Sequence, residues 1–389
     1  MSTALLTAFP SSLHKGLPLL IYSYPCIEKI IILQHFPCVA TNDKSQEISM
    51  SKLILSLDGG GIRGAATTQF LTHVEKALQS TYQKSLRDCV DFYAGTSTGS
   101  LIALALATTD MDMQAINQLY SYGNAKKIFI KNRGLFEVDG INAPKYEAKG
   151  KTVTLKKYLG NARIKDVPEG KHILAVTYGI EKRRPYVIKS TEDEFQNLLS
   201  YQVADASSAA PTYFPTQDMK LPPDNEQGWL IDGGVIANNP TMCAIAEACR
   251  LWPESPRRVL SVGTGTRTRK INGPESQQWG ALQWMLKGCI IDVLSDEKVV
   301  GYQAITISPQ GSYIRVNAEM RPQPGFDKAP DDAMDDISQT NIKRLKGMGD
   351  FWFSRYGDAV IELLNDNYDG PSLDRIDPNN GMPVEYHLE

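Results

Sequence analysis

Histidine is scarce in this chain: five occur among 389 residues, and none sits in a motif. His14 and His35 lie in an atypical N-terminal stretch, His73 falls on an expected helix, His172 opens an expected strand, and His387 is almost the last residue. Surface or packing roles are expected for all five, so any general base has to be sought among the carboxylates. The six cysteines, at 26, 38, 89, 243, 249 and 289, have neither metal-ligand spacing nor a dense disulfide pattern. No metal and no other cofactor is therefore expected, Cys89 and Cys243 are read as small core residues, and a reducing, cytoplasmic compartment is predicted. The net charge is only -3, and the basic clusters Lys126-Lys127, Lys182-Arg183-Arg184 and Arg267-Thr268-Arg269-Lys270 are short. Such clusters read as solvated loops, and a nucleic-acid surface is not expected.

Long apolar runs are absent as well. Leu17-Pro18-Leu19-Leu20-Ile21 and Ile30-Ile31-Ile32-Leu33 are separated by Pro25, Glu28 and Lys29. This is neither a transmembrane segment nor a secretory signal. Residues 1–49 are expected to be a leader outside the fold, with residues 50–389 forming one catalytic domain whose C-terminal part is helical. No Gly/Ser-rich or Pro-rich linker divides that region.

Against this background three short segments stand out. Cys89-Val90-Asp91-Phe92-Tyr93-Ala94 reads as a strand, Ser100 to Ala107 as an apolar helix, and between them lies Gly95-Thr96-Ser97-Thr98-Gly99. The G-x-S-x-G pattern in that context is a nucleophile elbow: Gly95 and Gly99 permit a turn too tight for larger side chains, and Ser97 projects from it at a helix N-terminus. Upstream, the strand Lys52-Leu53-Ile54-Leu55-Ser56-Leu57 runs into Asp58-Gly59-Gly60-Gly61-Ile62-Arg63-Gly64, followed by an expected helix from Ala65 to Leu78. Backbone amides of such a loop can hold an oxyanion, with Arg63 adding positive charge.

Gly59, Gly61 and Gly64 also satisfy G-x-G-x-x-G, the dinucleotide-binding pattern. That reading requires an acidic residue at the end of the second strand to hold the ribose hydroxyls. The second strand here ends in Ala94-Gly95-Thr96-Ser97, with Asp88 and Asp91 before or within its start. The nucleotide reading therefore stays a minor alternative.

The third segment supplies the base. Trp229-Leu230-Ile231 reads as a strand end, and Asp232 follows at its carboxyl end, where open α/β sheets place functional groups. Gly233-Gly234 turns the chain away, and Met242 to Leu251 reads as the next helix. Serine and aspartate together form a nucleophile–base pair with no imidazole between them.

The ordered D-G-G-G-x-R-G loop, G-x-S-x-G elbow and late D-G-G resemble the patatin-like lipid acyl hydrolases. Two further segments, Ala206-Ser207-Ser208-Ala209-Ala210-Pro211-Thr212-Tyr213-Phe214-Pro215 and Ser261-Val262-Gly263-Thr264-Gly265-Thr266, resemble the same family, so the likeness spans roughly Leu53 to Thr266. The resemblance implies Ser97 as nucleophile, Asp232 as base and Gly59, Gly60, Gly61 and Arg63 as the oxyanion loop. It also implies hydrolysis of fatty acyl esters of phospholipids and galactolipids through an acyl-enzyme, at a membrane surface and without a cofactor. A mostly parallel sheet between helices, a three-layer α/β fold, is expected from the resemblance and from the alternation of apolar strands with helices. A catalytically silent lipid-binding relative is the other alternative.

Three other expectations follow. Residues 126–149 mix basic, aromatic and glycine residues without periodicity and are expected to form a loop at the site mouth. Trp279 to Leu294 is expected to be a core or lid helix, with Leu282, Met285, Leu286, Cys289, Ile290 and Val293 at helical spacing. Met334 to Asn365 is expected to be helical with a break at Gly347 and Gly349.

Overall fold

The computed structural model describes residues 50–133, 143–287 and 290–387. Ten strands form one sheet: β1 (Lys52–Leu57), β2 (Phe92–Thr96), β3 (His172–Gly179), β4 (Arg184–Lys189), β5 (Gln217–Leu221), β6 (Glu226–Asp232), β7 (Arg257–Val262), β8 (Tyr313–Val316), β9 (Ser372–Asp377) and β10 (Met382–Tyr386). The six central strands, in the order β9-β8-β7-β1-β2-β3, are all parallel. The other four are antiparallel additions: β10 beside β9, β4 and β6 beside β3, and β5 beside β6.

Both faces of the parallel part are covered, which is why its strands read as near-continuous apolar runs. On β1, Leu53, Leu55 and Leu57 belong to the core that includes Phe70 of α1 (Gly64–Tyr82), Ile102 of α2 (Thr98–Thr108) and Trp352 of a long C-terminal helix. Ile54 faces the other layer, with Phe92, Val259, Ala244 and Ala304. The chain leaves β1 toward β2 and β3 on one side, and later builds β7, β8 and β9 on the other. The change of direction lies between β1 and β7, the place where open α/β sheets leave a crevice at their carboxyl edge.

The direction of β6 departs from the sequence reading. Asp232 ends a strand, but that strand runs antiparallel to β3. Register explains how it still reaches the carboxyl edge of the sheet. Residues 174–176 of β3 pair with β2 on one edge while β4 occupies the other, and residues 177–179 pair with β6 while β4 continues opposite. Hence β2 and β6 lie along the same edge of β3 and meet end to end, with Thr96 opposite Val176 and Asp232 opposite Thr177. One residue beyond Thr96 is Ser97.

Three other boundaries differ from expectation. The strand expected at 89–94 runs Phe92–Thr96, because Leu86–Cys89 is a helical turn closed by a Ser85–Asp88 capping box. The helix expected over 279–294 begins at Ala281 and ends at Leu286, Ile290–Leu294 is helical again, and 288–289 lie outside the described residues. The C-terminal helix, Gln339–Leu364, continues unbroken through Gly347 and Gly349 for 26 residues. A Cβ at Gly349 would overlap the Ala66 carbonyl of α1, so this glycine marks a close helix–helix approach and no break. Of the segment expected as a mouth loop, residues 126–128 end a helix and 148–149 begin one, while 134–142 lie outside the described residues. The expected leader, residues 1–49, lies outside them too.

Candidate active site

Ser97 follows β2 immediately and precedes α2. Its backbone has φ 53 and ψ −123, a conformation that residues with a side chain rarely adopt. The surroundings enforce it. A Cβ at Gly95 would overlap the Gly99 carbonyl, and one at Gly99 would overlap the Leu57 carbonyl of β1, so the two glycines let strand, turn and helix close on one another. Strain held in this way is typical of a residue with a functional position to keep.

Ser97 Oγ donates to Asp232 Oδ2 at 2.6 Å, and both side chains are buried. The other carboxylate oxygen, Oδ1, accepts from Gly234 N at 2.7 Å. Burial pushes the Asp232 carboxyl up to about 6, while the hydrogen bonds from Ser97 and Gly234 and the charge of Lys151 pull it down. A carboxylate in that range is still mainly ionised at neutral pH and is more basic than an exposed one, as a proton acceptor for an alcohol requires. The described histidines are elsewhere. His73 pairs with Asp350, His172 sits at the amino end of β3 against Phe92 and Trp252, and His387 pairs with Glu385 on the surface.

The glycine loop lies directly against the serine: a Cβ on Gly59 would come within 3.1 Å of Ser97 Cβ. Its four predicted contributors divide into two pairs. The Gly59 amide donates to Asn238 O at 3.0 Å and is thereby engaged. Arg63 is buried, and its guanidinium donates to Gly60 O at 3.2 Å and to Gly265 O at 3.3 Å, so it braces the loop from behind. Because carbonyl and amide of one trans peptide point opposite ways, holding Gly60 O turns the Gly61 N–H away from Arg63. Gly60 borders a polar cleft and Gly61 an apolar one, and their amides are the loop's remaining donors. Burial lowers Arg63 to about 9, which leaves it cationic at neutral pH.

Two supporting roles escaped the sequence reading, those of Arg315 and Ser207. Arg315 on β8 is fully buried and donates to Asp58 Oδ1 at 2.9 Å, to Ser261 Oγ at 2.8 Å and to Glu297 Oε2 at 2.8 Å. It anchors the start of the glycine loop. The available signal was a lone arginine inside Tyr-Ile-Arg-Val, since a charge in a central parallel strand has to be paired. Ser207, which ends a helix at Ser200–Ser207, accepts from Ser97 N at 2.9 Å and donates to Val176 O at 2.6 Å.

Two clefts meet at the serine. The larger one, about 580 Å³, has Val235, Ile291 and Val293 in its wall and is called polar only for the charged groups on its border, Arg267, Lys270 and Glu297 among them. The apolar one is bordered by Leu101, Leu119, Phe129, Leu155 and Phe214. A hydroxyl in contact with a carboxylate, amide donors beside it and a two-sided cleft are together groups of the kind that acyl transfer from an ester requires.

The parallel sheet, the elbow and the paired serine and aspartate give the layout of an α/β serine hydrolase. Residues 55–245 match the Patatin-like phospholipase family, so the chain carries a patatin-like domain over that span. Patatin-like protein 2 of Oryza sativa subsp. indica is 27% identical over 360 residues, covering 80% of this chain and 85% of the relative. Probable inactive patatin-3-Kuras 1 of Solanum tuberosum is 29% identical over 262 residues, covering 60% and 68%. Among solved structures, human GIVD cytosolic phospholipase A2 is 11% identical, covering 85% of this chain and 64% of that one, with a TM-score of 0.38.

Proposed function

We propose that the protein is a lipid acyl hydrolase that cleaves fatty acyl esters through an acyl-enzyme on Ser97. The observation that carries this reading is the 2.6 Å contact between Ser97 Oγ and Asp232 Oδ2 beside the glycine loop. As Oγ attacks the ester carbonyl carbon, its proton passes to Asp232, and the carbonyl oxygen, now negative, is held by the Gly60 and Gly61 amides. When the tetrahedral species collapses, the C–O bond to the alcohol breaks and Asp232 returns the proton to the leaving oxygen. Water then repeats the sequence on the acyl-enzyme, releasing fatty acid and Ser97.

The apolar cleft suits the acyl chain, and Arg267 and Lys270 on the border of the other cleft, where Asp296 and Glu297 also stand, can meet a phosphate, which supports a glycerophospholipid over a galactolipid or neutral glyceride. A panel of these three lipids with mass-resolved products tests the choice: fatty acid and lysophospholipid are expected, and no product from any lipid with folded protein would contradict the reading. A catalytically silent lipid-binding role has less support, because both reactive groups are present and in contact. A dinucleotide role has less support still, because β2 ends at the elbow where a ribose-binding acid would stand.

No described helix is long and apolar enough to cross a membrane. The lipid is proposed to be met at a membrane surface, on the strength of exposed apolar side chains near the site. Ile236, four residues from the base, is 43% exposed, and Leu294 is 60% exposed; Ile271 and Val293 on the rim of the polar cleft are exposed as well. Apolar side chains at the mouth can enter the lipid interface while the ester is drawn in. Replacing Ile271 and Val293 together by Glu is expected to lower hydrolysis of phosphatidylcholine vesicles about tenfold or more while a short soluble ester is turned over as before. Equal rates on vesicles would refute this role. The leader is proposed to be dispensable: deletion of residues 1–49 should preserve esterase activity, and loss of folding would contradict that.

A further inference from the structure

Lys151 is 3% exposed, although lysine is rarely buried without a specific reason. It belongs to the helix Ala148–Leu159, and its ammonium points into the wall of the apolar cleft, 4.7 Å over the Phe214 ring. Its polar partners all lie at one place, the end of the helix Ser200–Ser207. The ammonium is 3.0 Å from Asp205 Oδ1, donates to Asp205 O at 2.9 Å and to Ser208 Oγ at 3.2 Å. Thr152 Oγ1 donates to Asp205 Oδ2 at 2.5 Å.

That same helix end is the scaffold of the reactive pair. Ser207 Oγ accepts from Ser97 N, Ala209 O accepts from Asp232 N at 3.0 Å, and Ser207 O accepts from Gly233 N at 3.3 Å. Two residues of one short segment, Ser207 and Ala209, therefore hold the backbone of both the nucleophile and the base, and Lys151 fastens Asp205 and Ser208 on either side of Ser207. A buried ion pair is a poor source of stability, since apolar residues of similar volume often do as well. Its value here is positional. We propose that Lys151 is a positioning residue of the Ser97–Asp232 pair, clamping the end of the Ser200–Ser207 helix so that serine and aspartate stay within hydrogen-bond reach. The proposal rests on the hydrolase reading given above.

A second consequence is electrostatic. Asp232 is faced by Ser97 from the elbow, by Lys151 from its helix with Asp205 behind it, and across the polar cleft by Arg63, Arg267 and the Asp58–Arg315–Glu297 group. The Lys151 charge favours the ionised carboxylate. Replacing Lys151 alone leaves the other groups in place, so a shift of the acidic limb of the pH–rate profile reports on the ammonium.

The test uses the full chain and p-nitrophenyl butyrate. Fluorophosphonate labelling of wild-type Ser97, measured first, separates failure of the hydrolase reading from failure of the clamp. Lys151→Met is expected to lower kcat about 10²-fold with KM changed less than about twofold, and to move the acidic limb up by about one pH unit. Lys151→Arg should keep the limb at its wild-type position and recover most of kcat. A folded Lys151→Met protein with wild-type kcat and an unmoved limb would overturn the proposal. Should that variant fail to fold, Lys151→Met combined with Asp205→Leu removes both buried charges; the same loss of kcat is expected, and wild-type kcat would overturn it.

Discussion

Ser97→Ala is expected to lower ester turnover by at least about 10³-fold and to abolish labelling by a fluorophosphonate, with the fold retained. The substitution removes one oxygen and nothing else. Ser97 N still donates to Ser207, α2 still begins at Thr98, and the glycines that shape the elbow are untouched. A loss of this size without a fall in thermal stability therefore isolates the chemical role of Oγ. Ser97→Gly makes the complementary point. At φ 53 and ψ −123 glycine has no Cβ to strain, so that variant should melt at a higher temperature than wild type, by about 1–2 kcal/mol of stability, while being equally inactive. An active Ser97→Ala protein would assign the nucleophile elsewhere, and an unchanged melting temperature in Ser97→Gly would remove the strain from the account.

Asp232→Asn is the second large effect, again a loss of at least about 10³-fold. The amide can keep its oxygen toward Gly234 N, but its NH2 then faces Ser97 Oγ and cannot accept the hydroxyl proton. In the proposed mechanism Asp232 accepts a proton only when ionised, so the rate should fall as pH drops through about 6, the value to which burial raises this carboxyl. Stability should run the other way. The folded protein holds this proton more tightly than the unfolded chain, so the contribution is fully present below the ordinary value of 3.8 and is lost as pH rises through about 6. Keeping Asp232 ionised at neutral pH thus costs about 3 kcal/mol, and Asp232→Asn should be more stable than wild type there by part of that amount. Burial also raises Asp58, against the pull of Arg315, so comparing the stability–pH curves of wild type and Asp232→Asn assigns the Asp232 contribution. Parallel curves would show that Asp232 is not the group that titrates.

The parts of the site legible in the sequence are those written in local backbone chemistry. The apolar run 52–57, the glycines around Ser97 and the scarcity of histidine each follow from a few adjacent residues or from a count, and they led to the serine and aspartate that the fold brings together. What was not legible depends on partners distant along the chain. The antiparallel course of β6 is set by which edge of β3 remains open above β2, and no feature of Trp229-Leu230-Ile231 records it. Lys151 sits in Ala-Lys-Gly-Lys-Thr-Val-Thr-Leu-Lys-Lys, a lysine-rich stretch that gives no local sign of burial, because that burial depends on Asp205 and Ser208 more than fifty residues later. Gly349 carried the opposite ambiguity, since glycine signals a break in an isolated helix and close packing in a paired one.

Mapping the site of fluorophosphonate attachment tests the central claim most directly. The account expects one adduct per chain, located by peptide mass on Ser97, and formed far more slowly in Asp232→Asn. Folded protein that stays unmodified, or an adduct on a different serine, would contradict it.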